Sequence, residues 1–363
     1  MKRLMTSVMC VFAATAAVAA DLFFAGDSTL HPRRGNPSKE PYELVLASWG
    51  DETAEYLRGD VKVRNHALSG ASTKSFRDMG RWAGLLKELK AGDWVVIEFG
   101  HNDQKVDKPE LGTRADSTYR ENLRRMVAEV RAKGAKPLLC SSIVRHDFGA
   151  DGKLKEHCHP NGFRLSDYCA AAAAVAKELD VPFVDMQALT HAAVERAGAE
   201  KSLLWYRAGF YPEKGDHTHP TLKGAKVFAK LFADEVKAKN VPIVELFDTG
   251  WTWYAGEDLP LEGRGYEDVE RYFSRLPVRA CGVVNKGLWG MGKQSTGMFV
   301  RFTTDAERLR LEWRVESEHP SDPLIPEAGL TGLDVYRQAS DGSWEFAGMA
   351  PDRASDWMRR MAR

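Results

Sequence analysis

Four short blocks of the sequence carry residues able to do chemistry together: Gly26-Asp27-Ser28-Thr29, Asn65-His66-Ala67-Leu68-Ser69-Gly70-Ala71-Ser72, Phe99-Gly100-His101-Asn102-Asp103 and Asp216-His217-Thr218-His219-Pro220. They supply one serine, one glycine, one asparagine and an Asp-x-x-His, which are the nucleophile, oxyanion donors and base that acyl-ester hydrolysis needs. A serine hydroxyl is a weak nucleophile at neutral pH, so Ser28 requires a base within hydrogen-bond reach. An imidazole titrates near neutrality, so His219 can take that proton and return it to a leaving alcohol. Asp216, three residues earlier on a turn, can accept the other imidazole N–H and fix the tautomer. His217 follows Asp216 directly and points elsewhere. Asp27, His101 and Asp103 are read as supports of their loops.

The elements that must position these blocks follow from the apolar pattern. Leu22–Ala25, Val61–Asn65, Trp94–Phe99, Pro137–Ser141 and Val181–Val184 read as strands. Trp94-Val95-Val96-Ile97 is apolar without alternation, as in a strand covered on both faces. Tyr119, Leu123, Met126, Val127 and Val130 recur at helical spacing behind a Thr118/Glu121 capping box. A second helix runs from Tyr168 to Leu179, and a third starts at Pro220 and buries Val227, Phe228, Leu231 and Val236. The expected fold is α/β: a five-stranded parallel sheet with right-handed crossovers in a three-layer α/β/α sandwich. Ser28, the Gly70 block and the Asn102 block then emerge at strand carboxyl ends, where open α/β sheets place their sites.

These blocks resemble the GDSL or SGNH hydrolase superfamily over about residues 21–240. Gly26-Asp27-Ser28-Thr29 stands for its first block, with Thr29 in place of the usual leucine at a position expected to do no chemistry. NHALSGAS, EFGHNDQ and DHTHPTLKGAKVFA make the chain most similar to rhamnogalacturonan acetylesterases and related carbohydrate esterases. The resemblance implies a flavodoxin-like fold and a Ser28, Asp216, His219 triad. It also favours His219 over His217 through the Asp-x-x-His spacing. It further implies an oxyanion hole from the backbone N–H groups of Ser28 and Gly70 and the Asn102 amide, each donor worth roughly 3–4 kcal/mol. The implied activity is deacetylation of pectin, rhamnogalacturonan above all, through an acetyl-serine intermediate and with no metal or cofactor. Acetylxylan, another glycan ester or a lipid ester are alternatives on the same triad. A non-catalytic polysaccharide-binding protein is the alternative from another class, and the intact residue set argues against it.

After about residue 245 the texture changes. Met298–Phe302, Leu309–Val315, Leu333–Tyr336 and the Trp344/Phe346 pair read as half-buried antiparallel strands. Arg271–Pro277, Leu288–Met298 and Thr331–Tyr336, with Gly332-x-Asp334-x-Tyr336, resemble part of the jelly-roll domain found ahead of other SGNH hydrolase domains. The expected layout is a signal peptide over 1–20, an esterase domain over 21–245, a linker over 246–265 and a partial β-sandwich over 266–363, read as truncated.

Lys2 and Arg3 precede an apolar run ending in Ala17-Val18-Ala19-Ala20, the pattern of a cleavable export signal. The expected protein is secreted or periplasmic, with no membrane association once mature. Lysine plus arginine and aspartate plus glutamate both total 51 in 363 residues, which gives no reason to expect a nucleic-acid partner; acetylated plant polysaccharide or oligosaccharide is the expected one. Export permits disulfides among Cys140, Cys158, Cys169 and Cys281, with Cys158 and Cys169 the expected pair. His157-Cys158-His159 lacks the spacing that converges ligands on zinc and reads as a polar loop. Trp205, Tyr206, Phe210 and Tyr211 are candidates for a sugar-stacking lip, and Arg145-His146-Asp147 for the cleft border.

Overall fold

The computed structural model describes residues 20–32, 45–160, 162–209, 215–250, 254, 256–304, 308–309, 311, 313, 332–350 and 359–360. The chain divides into two units, residues 1–252 and 253–363. Of the segment expected to be an export signal, only Ala20 is among the described residues, and Phe210 and Tyr211 lie outside them.

In the first unit the five apolar runs form β1 (Leu22–Gly26), β2 (Val63–Asn65), β3 (Trp94–Glu98), β4 (Lys136–Cys140) and β5 (Phe183–Val184). They pair in parallel in the order β2-β1-β3-β4-β5. The helices are α1 (Trp49–Glu52), α2 (Thr73–Asp78), α3 (Arg81–Glu88), α4 (Thr118–Ala132), α5 (Leu165–Glu178), α6 (Met186–Ala197), α7 (Ala199–Leu203) and α8 (Leu222–Ala238). Successive strand residues face opposite layers. Phe23, Ala25, Val95 and Ile97 join Phe76, Leu123, Met126, Val127, Tyr168 and Val175 from α2, α4 and α5 in one core. On the other face Phe24 meets Trp49 of α1 edge-on at 5.6 Å, and Trp49 meets Phe232 of α8 at 5.4 Å. Burial on both faces is why β1 and β3 are nearly continuous in apolar residues, whereas β2 at the sheet edge, Val-Arg-Asn, is only partly buried. Because β1 has β2 on one side and β3 on the other, the chain reverses direction across the sheet there, and a crevice opens at such a switch point.

Local chemistry moves several boundaries. Thr118 is the first residue of α4 and no capping box forms; its Oγ1 accepts from the Arg114 N–H at 2.8 Å instead. α5 starts three residues earlier than Tyr168, where the Asp167 carboxylate accepts from the Arg164 N–H. α8 starts at Leu222 rather than Pro220, because the Pro220 carbonyl accepts from Ala47 N–H and Thr221 is extended as N-cap, its Oγ1 accepting from Gly224 N–H at 3.2 Å. On that helix Phe228, Phe232 and Val236 are buried, while Val227 and Leu231 are only half-buried. Gly224 is required there: a Cβ would lie 2.0 Å from the Trp205 carbonyl oxygen.

Cys158 and Cys169 do not pair, and Cys140, Cys158, Cys169 and Cys281 are free thiols. Cys169 is turned into the interior from α5, whereas Cys158 is exposed in the preceding loop. Nearness in sequence does not bring them face to face.

The second unit holds small antiparallel sheets. β6 (Leu261–Glu262), inside the segment read as linker, pairs with β7 (Phe299–Val300). A short helix, α9 (Lys286–Met291), lies between them in the chain. β8 (Arg308–Leu309) pairs with β11 (Arg359–Arg360), and β9 (Leu333–Gln338) forms a hairpin with β10 (Trp344–Ala350). Most of the alternating 309–315 run lies outside the described residues. The hairpin is bulged between Phe346 and Gly348.

Candidate active site

The first three blocks of the site are each held by the end of the strand before them. β1 ends at Gly26, where a Cβ would clash with the Glu98 carbonyl at 2.8 Å and the Leu30 side chain at 2.5 Å, so only glycine lets the turn fold back. Ser28 lies in this turn, half-buried. The Gly26 carbonyl accepts from the Leu68 N–H at 3.0 Å, which lays the second block beside the first. Gly70 follows in a turn with φ +79°, a left-handed conformation that favours glycine. The third block joins through Asn102, buried after β3, whose Nδ2 donates to the Ala71 carbonyl at 2.9 Å and whose Oδ1 accepts from Lys105 Nζ at 2.6 Å. Among the described residues, neither the Ser28 nor the Gly70 backbone N–H is taken by a hydrogen bond.

The fourth block is locked as a turn. Asp216 Oδ1 accepts from the backbone N–H groups of Thr218 and His219 at 3.3 and 3.2 Å, and both carboxylate oxygens lie 2.9 Å from His219 Nδ1. Arg207 Nη1 lies 3.9 Å from Asp216 Oδ2. Burial alone pushes the Asp216 carboxyl up, but the hydrogen bond and charge of His219 and the two backbone donors outweigh it and hold the group at about 2. An ionised acceptor at Nδ1 leaves Nε2 as the proton acceptor. His217 is turned away, stacked on His146 at 5.9 Å. Ser28 Oγ makes no hydrogen bond to His219 among the described contacts; the first block feels the fourth through Asp27, whose charge interacts with His219 and Arg145. In the absence of substrate such nucleophile–base bonds are often long.

Beneath the site lies a buried acidic pair. Asp27 Oδ1 accepts from the Thr29 N–H at 3.0 Å, and Thr29 Oγ1 sits 3.1 Å from Asp27 Oδ1 and 3.0 Å from Glu98 Oε2. One hydroxyl proton can serve only one of two carboxylates. Burial and then the charge of Asp27 push Glu98 well above the usual carboxylate range. Thr29, at a position expected to do no chemistry, is the polar bridge that a leucine could not provide. Asp103 is buried under the loops, with Oδ1 accepting from the Thr73 N–H at 3.1 Å and from the Thr73 and Thr113 hydroxyls at 2.5 and 2.8 Å. Its burial outweighs these donors and carries the carboxyl up to about 7. His101 is buried, and burial followed by the charge of Arg145 keeps it neutral, well below the usual histidine range.

The structure adds contacts at residues whose roles the sequence left open. Arg145, after β4, donates from Nη1 to the Thr218 hydroxyl, tying the β4 loop to the Asp216–His219 turn. Glu98 carried no sequence signal beyond its place in EFGHNDQ, and Lys105, the residue after that block, carried none. Trp205 and Tyr206 are core residues, packed on Phe228 at 6.3 and 5.8 Å, and form no exposed lip. Among the described residues no three His, Cys, Asp or Glu side chains are grouped to hold a metal ion.

Residues 24–227 match the GDSL-like Lipase/Acylhydrolase family. The chain belongs to this family of esterases. The described sheet with its strand-end blocks is therefore an SGNH esterase domain. Residues 251–360 match the "N-terminus of Esterase SGNH hydro-type", a GxDLY region. The chain is 36% identical over 229 residues to the rhamnogalacturonan acetylesterase RhgT of Bacillus subtilis, covering 61% of this chain and 91% of that protein. It is 30% identical over 231 residues to the probable rhamnogalacturonan acetylesterase YesY of the same organism, covering 63% and 97%. The crystal structure of YxiM, also from Bacillus subtilis, superimposes with a TM-score of 0.50 at 28% identity, over 61% of this esterase and 57% of that chain.

Proposed function

We propose that this esterase is an exported carbohydrate O-deacetylase whose substrate is acetylated rhamnogalacturonan. The observation that carries the reading is the Asp216–His219 pair, 2.9 Å apart, in a chain that covers 91% of a rhamnogalacturonan acetylesterase at 36% identity. Ser28 Oγ attacks the acetyl carbonyl while His219 Nε2 takes its proton, and Asp216 stabilises the imidazolium. The oxyanion is met by the Ser28 and Gly70 N–H groups and the Asn102 amide. Collapse breaks the ester C–O bond, and His219 protonates the departing sugar hydroxyl. Water then attacks acetyl-Ser28 with His219 as base, releasing acetate and restoring the serine. The basic, apolar N-terminal segment supports export.

Acetate release from acetylated rhamnogalacturonan, acetylated xylan and p-nitrophenyl acetate tests this, with wild type and Ser28→Ala side by side. Release is expected to be fastest from rhamnogalacturonan and absent in the variant. Faster release from xylan would transfer the specificity to that glycan, and release surviving Ser28→Ala would sink the mechanism. Glycan binding without release would make the protein a binding module.

A further inference from the structure

The Asn102 amide has two N–H donors and one acceptor oxygen, and its surroundings dictate which way it faces. The Ala71 carbonyl can only accept, so the atom 2.9 Å from it is nitrogen. The Lys105 ammonium can only donate, so the atom 2.6 Å from it is oxygen. A flipped amide would set oxygen against oxygen and nitrogen against ammonium at once. One N–H is spent on Ala71, the residue after Gly70, and one remains. Lys105 is itself held in place: its backbone N–H donates to the Asn102 carbonyl at 3.1 Å, closing a turn that returns the side chain onto the amide it follows. Asn102 is 3% exposed and Lys105 half-buried, so the bond is shielded from solvent screening.

We propose that Lys105 is a positioning residue for ester hydrolysis, locking the Asn102 amide with its second N–H free for the oxyanion and polarising that N–H. A cation on the amide oxygen draws density from nitrogen through the amide resonance, so the remaining N–H binds developing negative charge more strongly. Charge-assisted hydrogen bonds are about twice as strong as neutral ones. The inference rests on the reading of Asn102 as an oxyanion donor given under the proposed function. Lys105 need touch neither the ester nor the sugar, which separates it from a substrate-binding lysine.

The test is steady-state kinetics of the full chain on p-nitrophenyl acetate, a neutral substrate with no sugar. Variants are Ser28→Ala, Asn102→Ala, Lys105→Met, Lys105→Gln, Lys105→Arg and the double variant Lys105→Met/Asn102→Ala, each checked for an unchanged thermal midpoint. Asn102→Ala is expected to lower kcat by about 10²–10³-fold. Lys105→Met is expected to lower kcat by roughly tenfold with KM little changed, as befits loss of assistance rather than of the donor. Lys105→Arg restores most of the rate, and Lys105→Gln, a neutral donor, falls between. In the Asn102→Ala background Lys105→Met costs nothing further. Independent, multiplying losses in the double variant overturn the proposal, as does a raised KM with unchanged kcat. If Asn102→Ala keeps full kcat while Ser28→Ala is dead, the role of Asn102 fails and Lys105 with it, though the triad stands. Activity surviving in Ser28→Ala removes the triad itself.

Discussion

The two units treat their apolar strand residues in opposite ways. In the first, Leu22, Phe24, Trp49, Phe76, Val96 and Phe228 are at or near zero exposure, because helices cover both faces of the sheet. In the second, Leu333, Tyr336, Trp344 and Phe346 lie on a described hairpin and are 38%, 54%, 47% and 58% exposed. Tyr336 and Phe346 pair edge-on at 5.6 Å, and Arg337 bridges Glu345 at 2.8 Å, so among the described residues the cross-strand contacts form while these side chains stay exposed. Alternation specifies a strand and its faces; burial needs a second layer. A two-stranded hairpin alone is marginal in water.

The contrast can be broken in function first. All chemistry is assigned to the first unit, so Ser28→Ala should lower kcat by about 10⁴–10⁶-fold, while a chain ending at Thr252 should keep wild-type kcat on p-nitrophenyl acetate. Loss of activity on that truncation would tie the second unit to catalysis. In stability, Trp49→Ala empties a fully buried site between Phe24 and Phe232 and should cost about 3–5 kcal/mol in urea denaturation.

Acid sharpens the picture further. The Asp216 carboxyl is held at about 2 in the folded protein, below its ordinary value, so its stabilisation is fully present above the ordinary carboxyl range. It is lost as pH falls through the window from about 4 to 2, and amounts to on the order of 2 kcal/mol. Asp216→Asn should flatten unfolding free energy against pH in that window alone. The smallest effect belongs to the hairpin: Phe346→Ala removes a half-exposed cross-strand contact and should cost about 1 kcal/mol or less. Hydrogen exchange offers the same comparison without mutation, with Val95–Ile97 amides slowest and those of 333–350 far faster.

Much of the esterase domain was legible because its signals are local. A strand buried on both faces writes itself as a continuous apolar run, and all five runs became strands within two residues of their expected limits. Four motifs at strand ends or ahead of a helix need only chain order to be recognised. Local reasoning failed where a group outside the motif competes. Thr118 gave up its capping role to Arg114, and Pro220 was held out of α8 by Ala47. Trp205 and Tyr206 had no period to show that Phe228 would cover them.

Sequence by itself therefore determined the fold class, the family and the candidate triad, since these depend on residue type, periodicity and order along one chain. Tertiary structure decided the buried Asp27–Thr29–Glu98 bridge beside Ser28 and the direction of the Asn102 amide. Thr29 reaches Glu98 across 69 positions, and Asn102 reaches Ala71 across 31. Hydrogen bonds and charges act over a few ångströms of space, and only the folded chain says which residues are that close.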